Sequence, residues 1–318
     1  MKISRLKALV PYILSLAALF VFLGYVWRHA DRYRQLLDLS AGPLLALLGL
    51  ALFGLISNGF INYLLYLGLG VPLTLNEAVG LAAINTLANQ LPFAGGLIAK
   101  GVYLKQKYEL NYARYLSATL ALYLCFVAAS GVMGIAVLAF WALWDGIGIP
   151  VPLLLGFTGM AASISLLWLP IRANTLPGRL GKHMIQLLDG WQVLRRKPSL
   201  TWKLIGLQLL MTLLFAGRLW IAFHALSQEV TLTQCLLFSA AVVLTHLVSI
   251  APGGLGVREA IVASVASAFG FDVAVSVMAS AIDRGIETAV VVALGTIYTY
   301  ILSKQASNTQ PETGPTKH

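Results

Sequence analysis

The feature that most constrains this chain is a series of apolar stretches long enough to cross a lipid bilayer. Residues 41–69 carry no charged side chain, and a helix needs about 20 apolar residues to span the hydrocarbon core. Further candidate spans are residues 8–27, 115–144, 150–169, 204–226 and 273–302. Since 58% of the 318 residues are hydrophobic and 11% are charged, a soluble fold would leave too much apolar surface in water. The chain is predicted to be an all-α polytopic membrane protein.

A proline–glycine break occurs twice inside this apolar sequence. The upstream copy reads Leu91-Pro-Phe-Ala-Gly-Gly-Leu-Ile-Ala-Lys100, and the downstream copy reads Ala251-Pro-Gly-Gly-Leu-Gly-Val-Arg-Glu259. Aligning the two Gly-Gly pairs places Lys100 opposite Arg258, and a Thr-Leu pair precedes each copy. Repeated breaks that end in a basic residue are typical of the discontinuous helices that bind substrates in transporters. The alternative is two loops that need glycine for their backbone.

The apolar leg that follows the upstream break is too short to cross a membrane. A helix over residues 97–107 extends only about 17 Å, roughly half of the hydrocarbon core. Each break is therefore predicted to lie at the tip of a re-entrant hairpin, which enters the membrane and returns to the same face. Three predicted spans separate the hairpins, so the hairpins enter from opposite faces. The predicted architecture is about six spanning helices plus two re-entrant hairpins in an inverted repeat.

Charge and composition predict how the chain is organised and oriented. Residues 1–302 are predicted to form a single transmembrane domain with repeat halves at 41–144 and 201–302, and residues 303–318 a polar, disordered tail. The net charge of +10 is concentrated in connectors that fall on one face. The positive-inside rule then predicts that both termini lie in the cytoplasm. The same bases fit contact with anionic lipid, and no nucleic-acid partner is expected.

Charged side chains at membrane depth are candidate functional residues, because each costs about 2.5–3.5 kcal/mol to insert. Lys100 and Arg258 follow the Gly-Gly pairs, where a cation opposes the dipole of the returning helix. A phosphate would relieve this conflict by taking the free backbone N–H groups together with the basic side chain. The alternative is that both side chains snorkel to the interface. The predicted substrate-binding residues are Pro92, Gly95, Gly96, Lys100, Pro252, Gly253, Gly254, Arg258 and Glu259.

A second set of polar residues is predicted to gate or couple transport. Asp283 and Glu287 share a helical face of the last span, with Arg284 beside them, and Arg218 on the preceding span is their predicted partner. The alternative is an ion network that only holds helices in register. Asn89 and His246 occupy equivalent positions before the two breaks, where they would line the cavity or join helices. The predicted gating or coupling residues are Arg218, Asp283, Arg284, Glu287, His246 and Asn89.

Other chemistries have little support in the sequence. Asn58 and Asn62 share a helical face, and they are predicted to join helices rather than to bind substrate. Cys125 and Cys235 lie in apolar segments without CxxC spacing or clustered histidines, so no metal site is indicated. A phosphate-binding P-loop and a nucleophile elbow are also absent from the sequence. We therefore expect no cofactor, no metal and no enzymatic activity.

The downstream break carries a family resemblance. The residues Pro252-Gly-Gly-Leu-Gly-Val-Arg-Glu259 on an apolar hairpin resemble the signature of the lysylphosphatidylglycerol synthase transmembrane-region family, also called flippase-like. The upstream break from Pro92 to Lys100 resembles the family's first break, with Phe93-Ala94 as a looser match. The resemblance extends over about residues 8–302. It implies an inner-membrane protein that moves, or helps to move, a lipid with a polar head group between leaflets. A stand-alone member without the soluble synthase domain is expected, so lysyl-lipid synthesis is not implied.

The leading hypothesis is a flippase-like transporter of a phosphate-bearing lipid or lipid-linked head group. One alternative is a membrane-embedded enzyme in envelope lipid or lipid-linked sugar synthesis, with Asp283 or Glu287 as the acid or base. Another is a scaffold subunit for such synthesis. The expected partners are the membrane itself, an anionic or phosphate-bearing lipid, and either an envelope-synthesis enzyme or a second copy of the chain.

Overall fold

The computed structural model describes residues 41–89, 95–146, 148–168, 190–246 and 256–309. All regular secondary structure within these ranges is helical. The helices are α1 (Ala41–Gly68), α2 (Leu75–Ala88), α3 (Gly95–Tyr108), α4 (Tyr112–Phe140), α5 (Val151–Ala162), α6 (Pro198–Ala225), α7 (Leu232–Val242), α8 (Val257–Ser267) and α9 (Val273–Thr309). A π-helical turn, Trp141–Asp145, extends α4, and a 3-10 turn, Val243–His246, extends α7.

Of the described helical segments, four are long and apolar enough to cross a membrane. They are Ala41–Gly68, Tyr112–Trp144, Pro198–Ala225 and Val273–Leu302. The all-α class is confirmed, and these segments fit a polytopic membrane protein. The predicted span over residues 8–27 lies outside the described residues.

Two predicted boundaries differ from the structure. The predicted span over 150–169 is interrupted, because α5 ends at Ala162 and a separate short helix, Ser165–Trp168, follows it. At this interruption the Ser165 hydroxyl donates to the Ala162 carbonyl oxygen (2.7 Å), so it competes for a helical backbone acceptor. Helix α9 also continues to Thr309, past the predicted start of the polar tail at residue 303.

Helices α2 and α3 form the first hairpin. Thr74 caps α2 through a capping box, in which its hydroxyl accepts from the Glu77 N–H and the Glu77 carboxylate accepts from the Thr74 N–H. At the break, Gly96 packs against the end of α2 so closely that a Cβ there would overlap the Asn85 carbonyl oxygen. Glycine is therefore required for the two legs to approach each other.

Glu77 lies outside the four candidate spans. It joins the start of α2 to the end of α3, which are the ends of the first hairpin opposite the break. Its carboxylate pairs with Lys107 and accepts hydrogen bonds from Tyr103 (3.0 Å) and Tyr108 (2.9 Å). Burial by itself raises the pKa of Glu77, but hydrogen bonds from Lys107, the Thr74 backbone and both tyrosines lower this pKa to about 2. The stability contributed by this carboxylate is therefore present above its unfolded pKa of about 4.3, and it is lost as the pH falls toward 2.

Helices α7 and α8 form the second hairpin, and its first leg begins as that of the first hairpin does. Thr231 caps α7 through a capping box with Gln234, which matches the box of Thr74 and Glu77. Trp141, at the end of α4, joins both outer ends of this hairpin. Its indole N–H donates to the Thr233 hydroxyl (3.2 Å), and its ring packs edge-on against Phe269 at 5.0 Å between centroids.

The contact between α1 and α2 yields a stability prediction. A Cβ added at Gly59 would lie 2.6 Å from the Val79 Cα, a backbone atom that cannot move without shifting α2. Gly59→Ala is expected to destabilise the protein by about 1–3 kcal/mol, as overpacking does. Gly49→Ala is the control, because nothing lies within 4 Å of a Cβ there. Thermal unfolding in detergent measures both, and equal midpoints would contradict the close approach of α1 to α2.

Candidate functional site: a buried ion cluster and a polar row

Four charged side chains from three helices form one buried cluster, which we call the ion cluster (Arg218, Arg258, Asp283 and Glu287). Arg218 on α6 approaches Asp283 on α9, with 2.6 Å between Nε and Oδ1, and it lies 3.4 Å from Glu287. Arg258 on α8 contacts Asp283 and lies 2.8 Å from the Glu287 Oε2. Asp283 is fully buried, whereas the Glu287 side chain is 31% exposed. The cluster therefore ties α6, α8 and α9 together through paired charges.

A further ion pair lies beside the ion cluster, and it joins α8 of the second hairpin to α9. The Arg284 guanidinium on α9 donates to both oxygens of Glu259 on α8, at 2.9 and 3.2 Å. Glu259 also accepts from the Gly256 N–H (2.9 Å), so it caps the start of α8. With this pair included, three arginines face three carboxylates, and the formal charges balance. Nearby, the ring of Phe215 on α6 lies 4.2 Å from the Arg258 guanidinium carbon.

These contacts show where several candidate site residues lie. Arg218 is the cross-helix partner of Asp283 and Glu287, as predicted. Arg284 pairs with Glu259 on α8. Arg258, which was predicted to stand at the break for a phosphate, is also a member of the ion cluster. Glu259, which was predicted to bind substrate, accepts from Arg284 and from the backbone, and a buried carboxylate needs such partners. Their roles in binding, gating or coupling stay predictions.

Lys100 is the buried cation of the first hairpin. It is 7% exposed, and its Nζ donates to the Asn62 Oδ1 at 3.0 Å. The rings of Tyr66 and Tyr115 lie 5.7 and 6.0 Å from the same nitrogen. No carboxylate pairs with Lys100 within the described part of the chain. Unlike Arg258, Lys100 is therefore stabilised by a neutral amide and two aromatic faces.

Two asparagines on α1 extend from Lys100 toward the ion cluster. Asn62 donates from its side-chain nitrogen to the Asn58 carbonyl oxygen at 2.9 Å. Asn58 lines a 60 Å³ cavity together with Thr86, Arg218 and Glu287. A cavity of this size holds a few water molecules, since one needs about 10–15 Å³. We call Lys100, Asn62 and Asn58 the polar row, because it reaches from the first hairpin to the cavity beside the ion cluster.

The polar row was missed as a functional feature at the sequence level. The i, i+4 spacing of Asn58 and Asn62 correctly predicts a shared face, and it suggested that the amides join helices. Asn62 does join α1 to α3, but its partner is the candidate substrate-binding residue Lys100. Predicting the polar row would have required relating the two amides to the buried lysine. That relation depends on the packing of α1 against the first hairpin, which the sequence does not show.

One backbone N–H group just after each break has an internal hydrogen-bond acceptor. The Gly96 N–H donates to the Asn89 Oδ1 at 3.0 Å, so Asn89 caps α3 in the way that Glu259 caps α8. The N–H groups of Gly96 and Gly256 thus have internal acceptors in this conformation. Gly95 begins α3, and Lys100 lies in its second turn.

The remaining predicted positions lie at the edge of the described chain or beyond it. His246 ends the 3-10 turn that follows α7. Pro92, Pro252, Gly253 and Gly254 lie outside the described residues. Within the described ranges, no group of three or more histidine, cysteine or acidic side chains could hold a metal ion.

Comparison with known protein families gives one match over almost the whole chain. The family described as lysylphosphatidylglycerol synthase TM region matches residues 12–295, which include the ion cluster and the polar row. No curated protein and no solved structure matches the chain.

The ion cluster yields a prediction about stability. Asp283→Asn leaves Arg218 and Arg258 with Glu287 as their remaining acidic partner, so a buried positive charge becomes uncompensated. Breaking such a pair is expected to cost about 3–5 kcal/mol. Glu229→Gln is the control, because it removes an exposed carboxylate. Unfolding in detergent compares the two variants, and a loss below about 1 kcal/mol for Asp283→Asn would contradict the pairing.

Proposed function

The chain belongs to the lysylphosphatidylglycerol synthase TM region family, and from this premise we propose that it is a flippase-like transporter. Membership indicates a membrane protein in lipid synthesis or flipping. The proposed substrate is a phosphate-bearing lipid or a lipid-linked head group, moved between leaflets without chemical change. The observation that carries the proposal is the polar row, which joins the buried cation of one hairpin to the ion cluster at the other.

In the proposed topology, both hairpins are re-entrant and enter from opposite faces as an inverted repeat. Helix α4 supports this topology, because it starts at Tyr112, next to the end of the first hairpin. At its other end, Trp141 contacts Thr233 and Phe269 of the second hairpin. A helix of 29 residues extends about 43 Å, which is the thickness of a bilayer with its head groups. The open ends of the two hairpins are then a full membrane apart, and their tips approach the middle.

The proposed location is the cytoplasmic membrane of a bacterium or archaeon, with both termini in the cytoplasm. Lys107 at the end of α3 and Lys197 at the start of α6 support this orientation. Lys107 pairs with Glu77, and Lys197 donates to the Gly68 carbonyl oxygen (2.9 Å), so both lie at the same end of α1. Basic side chains collected at one end of a bundle favour the cytoplasmic side.

The proposed mechanism is an exchange of partners for arginine. Glu287 lines the cavity and is the most exposed member of the ion cluster. A phosphate entering the cavity would compete with Glu287 for Arg218 and Arg258, because guanidinium groups bind phosphate in two-point contacts. Lys100 offers a second cation without a carboxylate to displace, and the two asparagines supply polar contacts between the two positions. The head group would therefore move between cationic positions while its acyl chains stay in apolar surroundings.

The ion cluster favours transport over catalysis. Asp283 and Glu287, the acid or base of the enzymatic alternative, each contact two arginines. Groups held in this way stabilise charge, whereas a general acid must keep and then release a proton. We propose that the chain acts on its lipid without catalysis. A scaffold subunit in envelope lipid synthesis would not need the polar row between the two hairpins.

Lipid movement in vesicles tests this proposal. The purified protein is reconstituted with phosphatidylglycerol that carries a fluorescent head-group label, and dithionite then quenches the label that reaches the outer leaflet. Asn58→Leu and Asn62→Leu are expected to slow quenching about tenfold each, because loss of one buried polar contact costs about 1–3 kcal/mol. Thr296→Leu is the control, since it makes an equal polar-to-apolar change on an exposed position of α9.

The outcomes separate the three hypotheses. Movement that depends on Asn58 and Asn62 but not on Thr296 supports transport. Wild-type protein that leaves the label in its original leaflet contradicts transport, and product formation from a lipid-linked substrate in detergent, where no leaflets exist, would establish the enzyme instead.

A further inference from the structure

A large apolar groove lies between α5, α7, α8 and α9, away from the cavity beside the ion cluster. Its volume is about 870 Å³, within the range of small-molecule sites. The walls are almost entirely aliphatic or aromatic, and they include Leu153, Phe157, Met160, Ile261, Val265 and Val277. In a membrane, a groove of this character is filled by hydrocarbon, because polar solutes would lose their hydration without gaining partners.

One end of the groove meets the charged residues of the second hairpin. Gly256, Val257 and Glu259 line this end, and Glu259 pairs with Arg284. Arg258, which lies between Val257 and Glu259 in sequence, belongs to the ion cluster. Ser267 and Val273 line the opposite end, near the loop that joins α8 to α9. The groove therefore runs along α8 from Glu259, whose pair with Arg284 lies beside the ion cluster, to the loop between α8 and α9.

The length of the groove matches one leaflet. Helix α8 has 11 residues and extends about 16 Å, and groove-lining residues occur at both of its ends. The hydrocarbon core of a bilayer is about 30 Å thick, so the acyl chains of one leaflet occupy about half of it. A single acyl chain that starts at the break and ends at the membrane face has this length.

We propose that this groove holds one acyl chain of the glycerophospholipid whose phosphate reaches the ion cluster. This assignment rests on the proposed transport function. It describes the transported substrate by its acyl chain as well as by its phosphate. The head group lies beside Arg258 in the first turn of α8, and the chain lies along α8 toward the loop between α8 and α9. A long polyprenyl chain would extend beyond the groove, so a lipid with chains of leaflet length fits the groove better.

Two glycines on α5 allow a matched test. Gly156 lines the groove, and nothing lies within 4 Å of a Cβ added there, so a larger side chain would project into open space. Gly159 lies one turn further along α5 and is equally free of neighbours, but it is not part of the groove wall. Gly156→Phe therefore fills the groove, and Gly159→Phe adds the same side chain outside it. Ala260→Phe, on the opposite wall, is a second variant that fills the groove.

Photo-crosslinking measures occupation of the groove directly. The full-length protein is placed in nanodiscs that contain phosphatidylglycerol with a diazirine at the end of one acyl chain, and labelled peptides are identified by mass spectrometry. In the wild type, labelling is expected to concentrate on residues 151–162 and 257–267. Gly156→Phe and Ala260→Phe are each expected to reduce it at least fivefold, whereas Gly159→Phe leaves it unchanged. Thermal unfolding in detergent verifies that the variants fold.

Labelling spread evenly over the exposed helices and unchanged in Gly156→Phe would overturn the assignment. Displacement of phosphatidylglycerol from the groove by a diazirine-labelled polyprenyl phosphate would overturn the acyl chain as its occupant. If a Gly156→Phe protein loses labelling and still transports lipid at the wild-type rate, the lipid in the groove is not the transported one. Labelling requires no transport, so concentrated labelling of a wild-type protein that moves no lipid supports the groove and contradicts the proposed function alone.

Discussion

The pairing of charges in a low-dielectric interior is the constraint on which this structure depends. An unpaired arginine or carboxylate at membrane depth is costly, and Asp283 is fully buried. It is tolerated because Arg218 and Arg258 contact it from two other helices. This requirement holds the second hairpin against the spans α6 and α9. The same contacts also place two guanidinium groups beside Glu287, the most exposed member of the ion cluster, and the proposed mechanism uses this carboxylate as the partner that an anion replaces.

The first and second halves of the chain stabilise their buried charges differently. In the second half, every arginine of the ion cluster has a carboxylate partner, and the cluster is neutral with the Glu259–Arg284 pair. In the first half, Lys100 has an amide and two tyrosine rings instead. In the proposed transport, an anionic head group would meet a cation that gains a partner at one hairpin and cations that exchange a partner at the other. The proposal thus gives the phosphate two unequal positions joined by Asn58 and Asn62.

The sequence was most informative where a local pattern determines a local structure. A Thr-Leu pair precedes each break in the sequence, and in the structure Thr74 and Thr231 form the same capping box. The pairing of Arg218 with Asp283 was predictable because charges at membrane depth must find each other. Contacts that depend on how helices pack were not predictable. The polarity of Glu259 does not reveal that it caps its own helix and binds Arg284, and no local pattern relates Asn62 to Lys100, 38 positions away.

The lipid retained by the purified protein tests most directly whether these buried cations receive a phosphate. The lipids that co-purify in mild detergent are compared by mass spectrometry for wild type, Lys100→Met and Lys105→Met. Lys100→Met removes a buried cation that has no carboxylate partner among the described residues, so the fold is expected to survive, while Lys105 is exposed and serves as the control. The account predicts a phosphate-bearing lipid that is enriched in wild type and Lys105→Met and lost in Lys100→Met. Equal lipid profiles in all three proteins would contradict it.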